Sequence, residues 1–486
     1  MSCWAWRQSP MTEELRNEGL SGLRSSWPRR AAWIGIWFAL AFLASLIPPM
    51  QSPDEPAHLG RAATIADGRL LLQTPPGQNT GQSVDVGLLT YMMKGNNISA
   101  RGDARSSAED LASMAQQRWT GEHMFFPIPG MNYYLPVLYA PHATGLLVGR
   151  MLGLDIATSY WLVRALVWSA CVLLLAAAWR ALPPSPLVVG LMLLPMSTFQ
   201  LASPTLDGLS SCLALWVLSS FCRRYQQPGQ SQNRVAPWLW LLAVVTLASG
   251  RTHLFPFLLL PAVLAWREGT ARAWLKAISA AIFSLAWVLF TLATTRDTRI
   301  PRDQSSKELL LHYAMHPMEY LRIVSATLSD PGHADNYTET FIGRLGWLDA
   351  PLPPGAQTWL WWALALCAVL SLPLSGLVRR KQTGRAEPTP QGSLLGLRLA
   401  LVCVALSSAS LVFLALLVTW TPHPAQFIDG IQGRYFMIPA LVLAYAVSDL
   451  RPHGIQWLKW LQWTAMIAFA LLAGWACVTA LLTRYH

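Results

Sequence analysis

The sequence predicts an all-α membrane protein that crosses the bilayer many times, and three observations support that prediction. Of the 486 residues, 53% are hydrophobic and only 13% are charged, about half the charged share of a soluble chain. The mean hydropathy is +0.34. The 24 tryptophans suit a protein that is anchored at two membrane–water interfaces. A disordered chain is excluded, because such chains are rich in charge and poor in apolar residues.

The basic residues indicate cytoplasmic loops and not a nucleic-acid surface. The net charge of +11 comes from 36 basic and 25 acidic residues. The basic side chains fall in short groups between apolar runs, as in Arg29-Arg30, Arg223-Arg224 and Arg379-Arg380-Lys381. This distribution follows the positive-inside rule. We therefore expect no nucleic-acid partner.

The seven cysteines predict neither a disulfide framework nor a zinc site. All but Cys3 lie in or at the end of apolar runs, no Cys-x-x-Cys pair occurs, and the long polar loops contain none. Both kinds of site need thiols at characteristic spacings in polar segments. These cysteines are interpreted as small buried hydrophobic residues.

Apolar segments long enough to cross a membrane, or nearly so, alternate with polar ones. Two polar stretches, 49–132 and 296–355, are too long to be turns, and each contains helix-like pieces, at 106–119 and 307–328. The apolar segments lie at 31–47, 133–149, 159–179, 184–200, 206–222, 236–249, 254–266, 273–295, 356–376, 396–420, 435–449 and 458–482.

Charge placement predicts a topology of about eleven crossings. Residues 1–30 form a cytoplasmic tail, and 31–47 is an uncleaved first transmembrane helix. The remainder, 31–486, is one transmembrane domain whose two long loops lie on the extracytoplasmic side. In the favoured arrangement, 133–149 is re-entrant or lies on the outer face. In the alternative it crosses fully, 236–266 fuses into one helix, and Asp207 lies inside.

Two adjacent carboxylates follow the first apolar helix and are the main candidates for chemistry. Asp54 and Glu55 stand between prolines in Pro53-Asp54-Glu55-Pro56-Ala57-His58, close to the membrane surface, where low-dielectric surroundings favour a carboxylate as a base. The competing interpretation is a helix N-cap, since an acidic residue followed by proline commonly starts a helix. Asp207, which opens another apolar helix, has the same two interpretations.

Several arginines are candidates for binding an anion at one membrane face. Guanidinium binds phosphate bidentately, so three or four arginines together suit a lipid phosphate. The competing interpretation is interfacial anchoring beside aromatic residues. The candidates are Arg61, Arg251, Arg344 in Gly343-Arg344-Leu345-Gly346-Trp347-Leu348-Asp349, and Arg434 in Gln432-Gly433-Arg434-Tyr435.

These strings resemble a bacterial family of predicted multi-pass membrane proteins, long labelled as a domain of unknown function and grouped with the GT-C glycosyltransferases. The Pro53–His58, Gly343–Asp349 and Gln432–Tyr435 strings carry the resemblance. It implies a GT-C-like helical bundle in the bacterial inner membrane, with two helix-containing extracytoplasmic loops. It also implies a polyprenyl-phosphate sugar donor and an essential acidic residue after the first helix, a role that falls on Asp54 with Glu55 as neighbour or substitute.

The predicted function is therefore inverting transfer of one sugar to a cell-envelope glycan or glycolipid, with Asp54 as general base. The predicted substrate-binding residues are His58, Arg61, Asp207, Arg251, Arg344, Asp349, Arg434 and Tyr435. No cofactor is assigned and no metal ligands are predicted; the absence of an Asp-x-Asp pair argues against a divalent metal without excluding one. The alternative function is a transporter or flippase for a lipid-linked glycan, which would need charges at mid-membrane depth and a cavity open to both sides.

Overall fold

The structure is a computed structural model, and it describes residues 30–101, 105–227, 235–300, 303–373, 391–450 and 456–486. The predicted tail (apart from Arg30), Cys3 and the Arg379-Arg380-Lys381 group lie outside the described residues. The described chain is mostly helical, as the composition predicts. The six cysteines of the described chain form no disulfide bonds, and five of them are buried.

Four helices in the described chain are long and apolar enough to cross a membrane. They are α6 (Ile156–Ala181), α12 (Ala271–Thr294), α17 (Gln391–Thr419) and α19 (Gln456–Tyr485). A fifth crossing exists if α8 (Pro195–Ala202) and α9 (Leu206–Gln226), which meet at a bend of 108°, count as one span. The predicted total of eleven is therefore not confirmed.

The other predicted apolar segments form helices that are too short to count as full spans. A helix of 16 residues is about 24 Å long, against a hydrocarbon core of about 30 Å. Gly250 ends α10, so the single helix over 236–266 in the alternative topology is not formed. The shorter helices are α1 (Arg30–Ser45), α7 (Pro186–Leu193), α10 (Val235–Gly250), α11 (Leu259–Glu268), α16 (Ala356–Ser371) and α18 (Met437–Val447).

The first long loop folds into a compact layer on the bundle. Its two strands pair antiparallel, with Gly81 opposite Pro127 and Asp85 opposite His123. Only the helical piece near 106–119 was predicted here, and the observed helix in it is α4. The elements are α2 (Glu55–Ala66), β1 (Gly81–Asp85), α3 (Val86–Ala100), α4 (Ala108–Ala115) and β2 (His123–Pro127).

The segment predicted at 133–149 does not form one long helix. Two 3-10 turns (Pro129–Tyr133 and Pro136–Tyr139) lead into α5 (Ala140–Met151), whose 12 residues are too short to cross alone. Gly145 and Gly149 lie where α5 meets α6: a Cβ at Gly145 would come 2.7 Å from the Cα atom of Val163. This spacing of small residues lets two helix backbones approach closely. The contact packs α5 closely against α6.

The second long loop consists of three helices and a small hairpin. Its elements are α13 (Ser306–Met315), α14 (Pro317–Ser329), α15 (Pro331–Ile342), β3 (Arg344–Leu345) and β4 (Ala350–Pro351). The first two helices lie in the piece predicted at 307–328. A 3-10 turn, Gly433–Phe436, packs on α15 before α18 begins. The loop therefore carries the Gly343–Asp349 string and supports the Gln432–Tyr435 string.

Candidate functional site

The turn after α1 places Asp54 with its carboxylate free of the helix it precedes. Asp54 is the N-cap residue of α2, in the left-handed conformation (φ 63°), yet its side chain makes no capping hydrogen bond. Asp54 therefore occupies the N-cap position that the competing interpretation predicts, but its carboxylate does not cap the helix. Its side chain is 56% exposed. Aspartate is among the few residues that tolerate this backbone region.

Glu55 stabilises the turn through hydrogen bonds to its carboxylate. Its carboxylate accepts hydrogen bonds from the backbone N–H groups of Met50 (3.1 Å) and Ser52 (3.0 Å), and from the Tyr160 hydroxyl (2.5 Å). Glu55 is buried, with 1% of its surface exposed. A buried carboxylate with these three donors stabilises the loop and is not exposed to a substrate.

A chain of alternating charges runs from Asp54 into the bundle. Arg434 Nη2 lies 3.5 Å from Asp54 Oδ2, and its Nη1 lies 3.6 Å from Asp207 Oδ2. Asp207 also pairs with Arg251 and accepts a hydrogen bond of 3.2 Å from Gln200 Nε2. Both arginines are almost fully buried. Pairing of this kind is what makes ionised side chains tolerable away from water.

Aromatic and histidine side chains pack against this chain of charges. His58 is buried, and its Nδ1 lies 2.9 Å from the Tyr139 hydroxyl. Burial lowers the pKa of His58 to about 3, with Arg251 and Arg434 acting in the same direction against Asp207. His58 is therefore neutral at physiological pH and adds no positive charge. The Tyr134 ring lies 5.6 Å from the His58 ring and beneath the Arg251 guanidinium, at 5.7 Å.

The Gly343–Asp349 string also contacts the turn that carries Asp54. Trp347 Nε1 donates a 2.9 Å hydrogen bond to the carbonyl of Met50. Gly346 has a φ of +63°, and a Cβ there would collide with Asp349 and Tyr485. Asp349 in turn pairs with Arg484 at 2.7 Å. In the structure, Asp349 thus contacts a helix end and not the Asp54 carboxylate.

Two of the predicted arginines lie away from the Asp54 cluster. Arg61 is buried and donates to the Leu70 carbonyl (2.6 Å) and the Thr64 hydroxyl (3.1 Å), so it tethers the end of α2. Arg344 pairs with Glu339 at 3.2 Å. Tyr435, by contrast, lies at the cluster, since its hydroxyl is 3.5 Å from Arg434 Nη2.

A groove with a volume of about 330 Å³ opens beside Asp54. Its polar lining consists of Asp54, Asn96 and Arg299, and Trp347 also faces it. The remaining lining is almost wholly apolar and rich in methionine and phenylalanine. It comprises Pro56, Ala57, Leu89, Met92, Met93, Met124, Phe125, Phe126, Pro127, Ile128, Gly130 and Met131.

Sequence reasoning missed Arg299. It stands in Arg296-Asp297-Thr298-Arg299, directly after the apolar run at 273–295, where a basic residue is expected as a simple membrane anchor. No local signal distinguishes it from Arg296. Only the fold brings it to the same groove as Asp54, which lies more than half the chain away.

The described residues include no group of three histidine, cysteine or carboxylate side chains able to hold a metal ion. The described site brings together carboxylates, arginines and tyrosines. Such a set can accept a proton and bind an anion.

Comparison with known proteins identifies the family. A family model described as "Predicted membrane protein (DUF2142)" matches residues 37–444. The chain belongs to this family. No curated protein and no solved structure matches it.

The DUF2142 match contains the whole candidate site. Asp54, Asp207, Arg251, Arg299 and Arg434 all lie within residues 37–444. The family description and the apolar helices together establish a membrane protein.

Proposed function

We propose that this protein transfers a sugar from a polyprenyl-phosphate donor to a cell-envelope glycan or glycolipid, at the extracytoplasmic face of the bacterial inner membrane. The observation that supports this most directly is the position of Asp54. It is the one member of the adjacent acidic pair whose carboxylate is exposed, it lines the groove, and it lies 3.5 Å from Arg434 Nη2.

The proposed reaction is a single displacement with inversion. Asp54 takes the proton from an acceptor hydroxyl, whose oxygen forms a bond to the anomeric carbon. The bond between that carbon and the phosphate oxygen breaks, and polyprenyl phosphate leaves with the electron pair. The donor's phosphate ester supplies the driving force, so no nucleotide is required outside. The apolar groove walls favour the reaction by limiting water, which competes as an acceptor.

The charges behind Asp54 have a supporting role in this proposal. Arg434 and Arg251 are too deeply buried to be the first contact of a substrate, but they hold Asp54 and Asp207 in place. Preorganised charges of this kind act without rearranging during the reaction. Glu55 supports the turn and is not proposed as a second base.

The test is an assay of sugar transfer from a purified polyprenyl-phosphate sugar, with Asp54→Asn compared with Asp303→Asn. Asp303 is an exposed carboxylate of the second loop, so its replacement controls for a general loss of surface charge. We expect Asp54→Asn to abolish transfer and Asp303→Asn to leave it intact, with both proteins equally stable in detergent. Near-normal transfer by Asp54→Asn would show that Asp54 is not the base. Movement of intact donor across a vesicle membrane, without transfer, would support the flippase alternative instead.

A further inference from the structure

Arg299 is the accessible cation of the groove. Its side chain is 45% exposed, whereas Arg434 and Arg251 are 4% and 8% exposed. It lines the same groove as Asp54. The hydrogen bonds that Arg299 donates to Asp297 raise the pKa of Arg299, and the negative charge of Asp54 raises it further.

The guanidinium is held in one orientation with part of it left for a ligand. Arg299 Nε and Nη2 donate to the two oxygens of Asp297 at 2.9 Å and 2.6 Å, and the guanidinium carbon lies over the Trp420 ring, 5.3 Å from its centroid. Nη1 makes no hydrogen bond to the described part of the chain. A guanidinium with one edge fixed by a carboxylate can still offer its other donors to an oxyanion.

The backbone that carries Arg299 is joined to the first loop. The Thr80 N–H donates to the Arg296 carbonyl (3.0 Å), and the Arg296 N–H donates to the Thr80 hydroxyl (2.8 Å). The Thr298 N–H donates to Asn79 Oδ1 at 2.8 Å. These bonds set the distance between the end of α12 and the groove wall, so Arg299 is placed by the fold and not by a freely moving loop.

The rest of the groove matches a hydrocarbon chain. Met93 and Met124 are 65% and 52% exposed, so the apolar lining continues to the surface of the molecule. Methionine side chains are unbranched and adaptable, which suits a flexible ligand of irregular shape. An apolar groove with one accessible guanidinium is complementary to an amphiphile that has an anionic end.

We propose that the groove binds the phosphate end of a polyprenyl-phosphate lipid, with Arg299 as the residue that binds the phosphate and the methionine-rich wall as the contact for the first part of the hydrocarbon chain. This inference rests on the proposed function for the identity of the lipid. It assigns the phosphate to a residue outside the set Arg61, Arg251, Arg344 and Arg434.

The test measures binding to the purified full-length protein by native mass spectrometry, with three probes: a polyprenyl phosphate, the corresponding polyprenol and inorganic phosphate. We expect the polyprenyl phosphate to bind at least about tenfold more tightly than the other two. Arg299→Ala should lose about tenfold or more of that affinity, because a charge-assisted hydrogen bond is removed. Arg299→Lys should lie between the two, because it keeps the charge but not the planar fork.

Arg296→Ala is the matched control, since Arg296 is an exposed arginine of the same segment that does not line the groove. Equal affinity in Arg299→Ala and Arg296→Ala, at equal melting temperatures, would overturn the inference. So would inorganic phosphate binding as tightly as the lipid, which would indicate a site for free phosphate. Sugar transfer by the wild type separates the two proposals. Lipid binding that depends on Arg299, without any sugar transfer by the wild type, would refute the proposed function and leave this inference standing.

Discussion

Glu55 and Asp54 are adjacent in sequence but have opposite environments. The Glu55 carboxylate is buried under three hydrogen bonds, whereas the Asp54 carboxylate is 56% exposed and faces a groove. The left-handed backbone at Asp54 produces this separation, because it turns one side chain outward as the next turns inward. The pair therefore divides into a structural and a candidate catalytic carboxylate.

This division predicts different stability effects for the same chemical change. Glu55→Gln replaces a carboxylate oxygen with an amide NH₂ that faces backbone N–H donors, so we expect a loss of about 1–3 kcal/mol in unfolding free energy. Asp54→Asn should change it by less than about 0.5 kcal/mol, as at an exposed site. Thermal unfolding in one detergent compares the two variants. Equal destabilisation would show that Asp54 also holds the turn.

How far the sequence predicts this site depends on which residue is considered. The Pro53–His58, Gly343–Asp349 and Gln432–Tyr435 strings could be singled out individually, and the structure brings a residue of each to the Asp54 turn: Asp54 itself, Trp347 and Arg434. Their mutual distances could not be predicted, because they depend on how α15 and the two loops pack. Arg344 illustrates this, since it lies in a strongly marked string and yet pairs with Glu339.

The fold, like the site, could be predicted from the sequence only in part. Apolar runs predicted the positions of helices well, because hydrophobicity is a local property of the sequence. The predicted number of spans is not confirmed, because whether a 16-residue apolar helix crosses depends on its neighbours and tilt. The β1–β2 pairing was also missed, since its strands are separated by two helices and neither has a strong period-2 pattern.

Gly433 offers a test of the contact that places Arg434. A Cβ at this position would lie 2.1 Å from the Tyr337 carbonyl oxygen and 2.4 Å from the Phe341 nitrogen, both backbone atoms of α15. Gly433→Ala must therefore push the Gly433–Phe436 turn away from α15 and Arg434 away from Asp54. We expect sugar transfer to fall about tenfold or more, in line with the cost of misplacing a catalytic group.

The matched control for this variant is Gly474→Ala, in α19. A Cβ at Gly474 meets no atom within 4 Å, and alanine is the better helix former, so this variant should be neutral or slightly stabilising. Transfer at the wild-type rate by Gly433→Ala would mean that the close packing of the turn on α15 does not govern Arg434.

The Asp207–Arg251 pair should behave as a coupled unit. Asp207→Asn leaves the buried Arg251 without its acidic partner, so it should cost about 3–5 kcal/mol of stability. Arg251→Gln should cost less, because Asp207 keeps its contact with Arg434. The double variant should cost less than the sum of the two, because it removes both charges of the Asp207–Arg251 pair together. A double-mutant cycle from thermal or denaturant unfolding measures the coupling. Additive effects would show that the two side chains do not interact in the folded protein.

Stability should fall in mild acid because His58 is buried in its neutral form. Its pKa drops from 6.5 to about 3 on folding, so between these values the unfolded chain binds a proton that the folded protein does not. The contribution to stability is therefore complete above pH 6.5 and is lost as the pH falls, at up to about 1.4 kcal/mol per pH unit.

His58→Gln removes this titration and should reduce the drop in melting temperature between pH 7 and pH 5. The charges that face His58 are Asp207, Arg251 and Arg434, and aspartate bearing a salt bridge stays ionised over this range. The control is His316→Gln, at an exposed position, which should show the same change of melting temperature with pH as the wild type. The same change in His58→Gln would mean that His58 is not held neutral by burial.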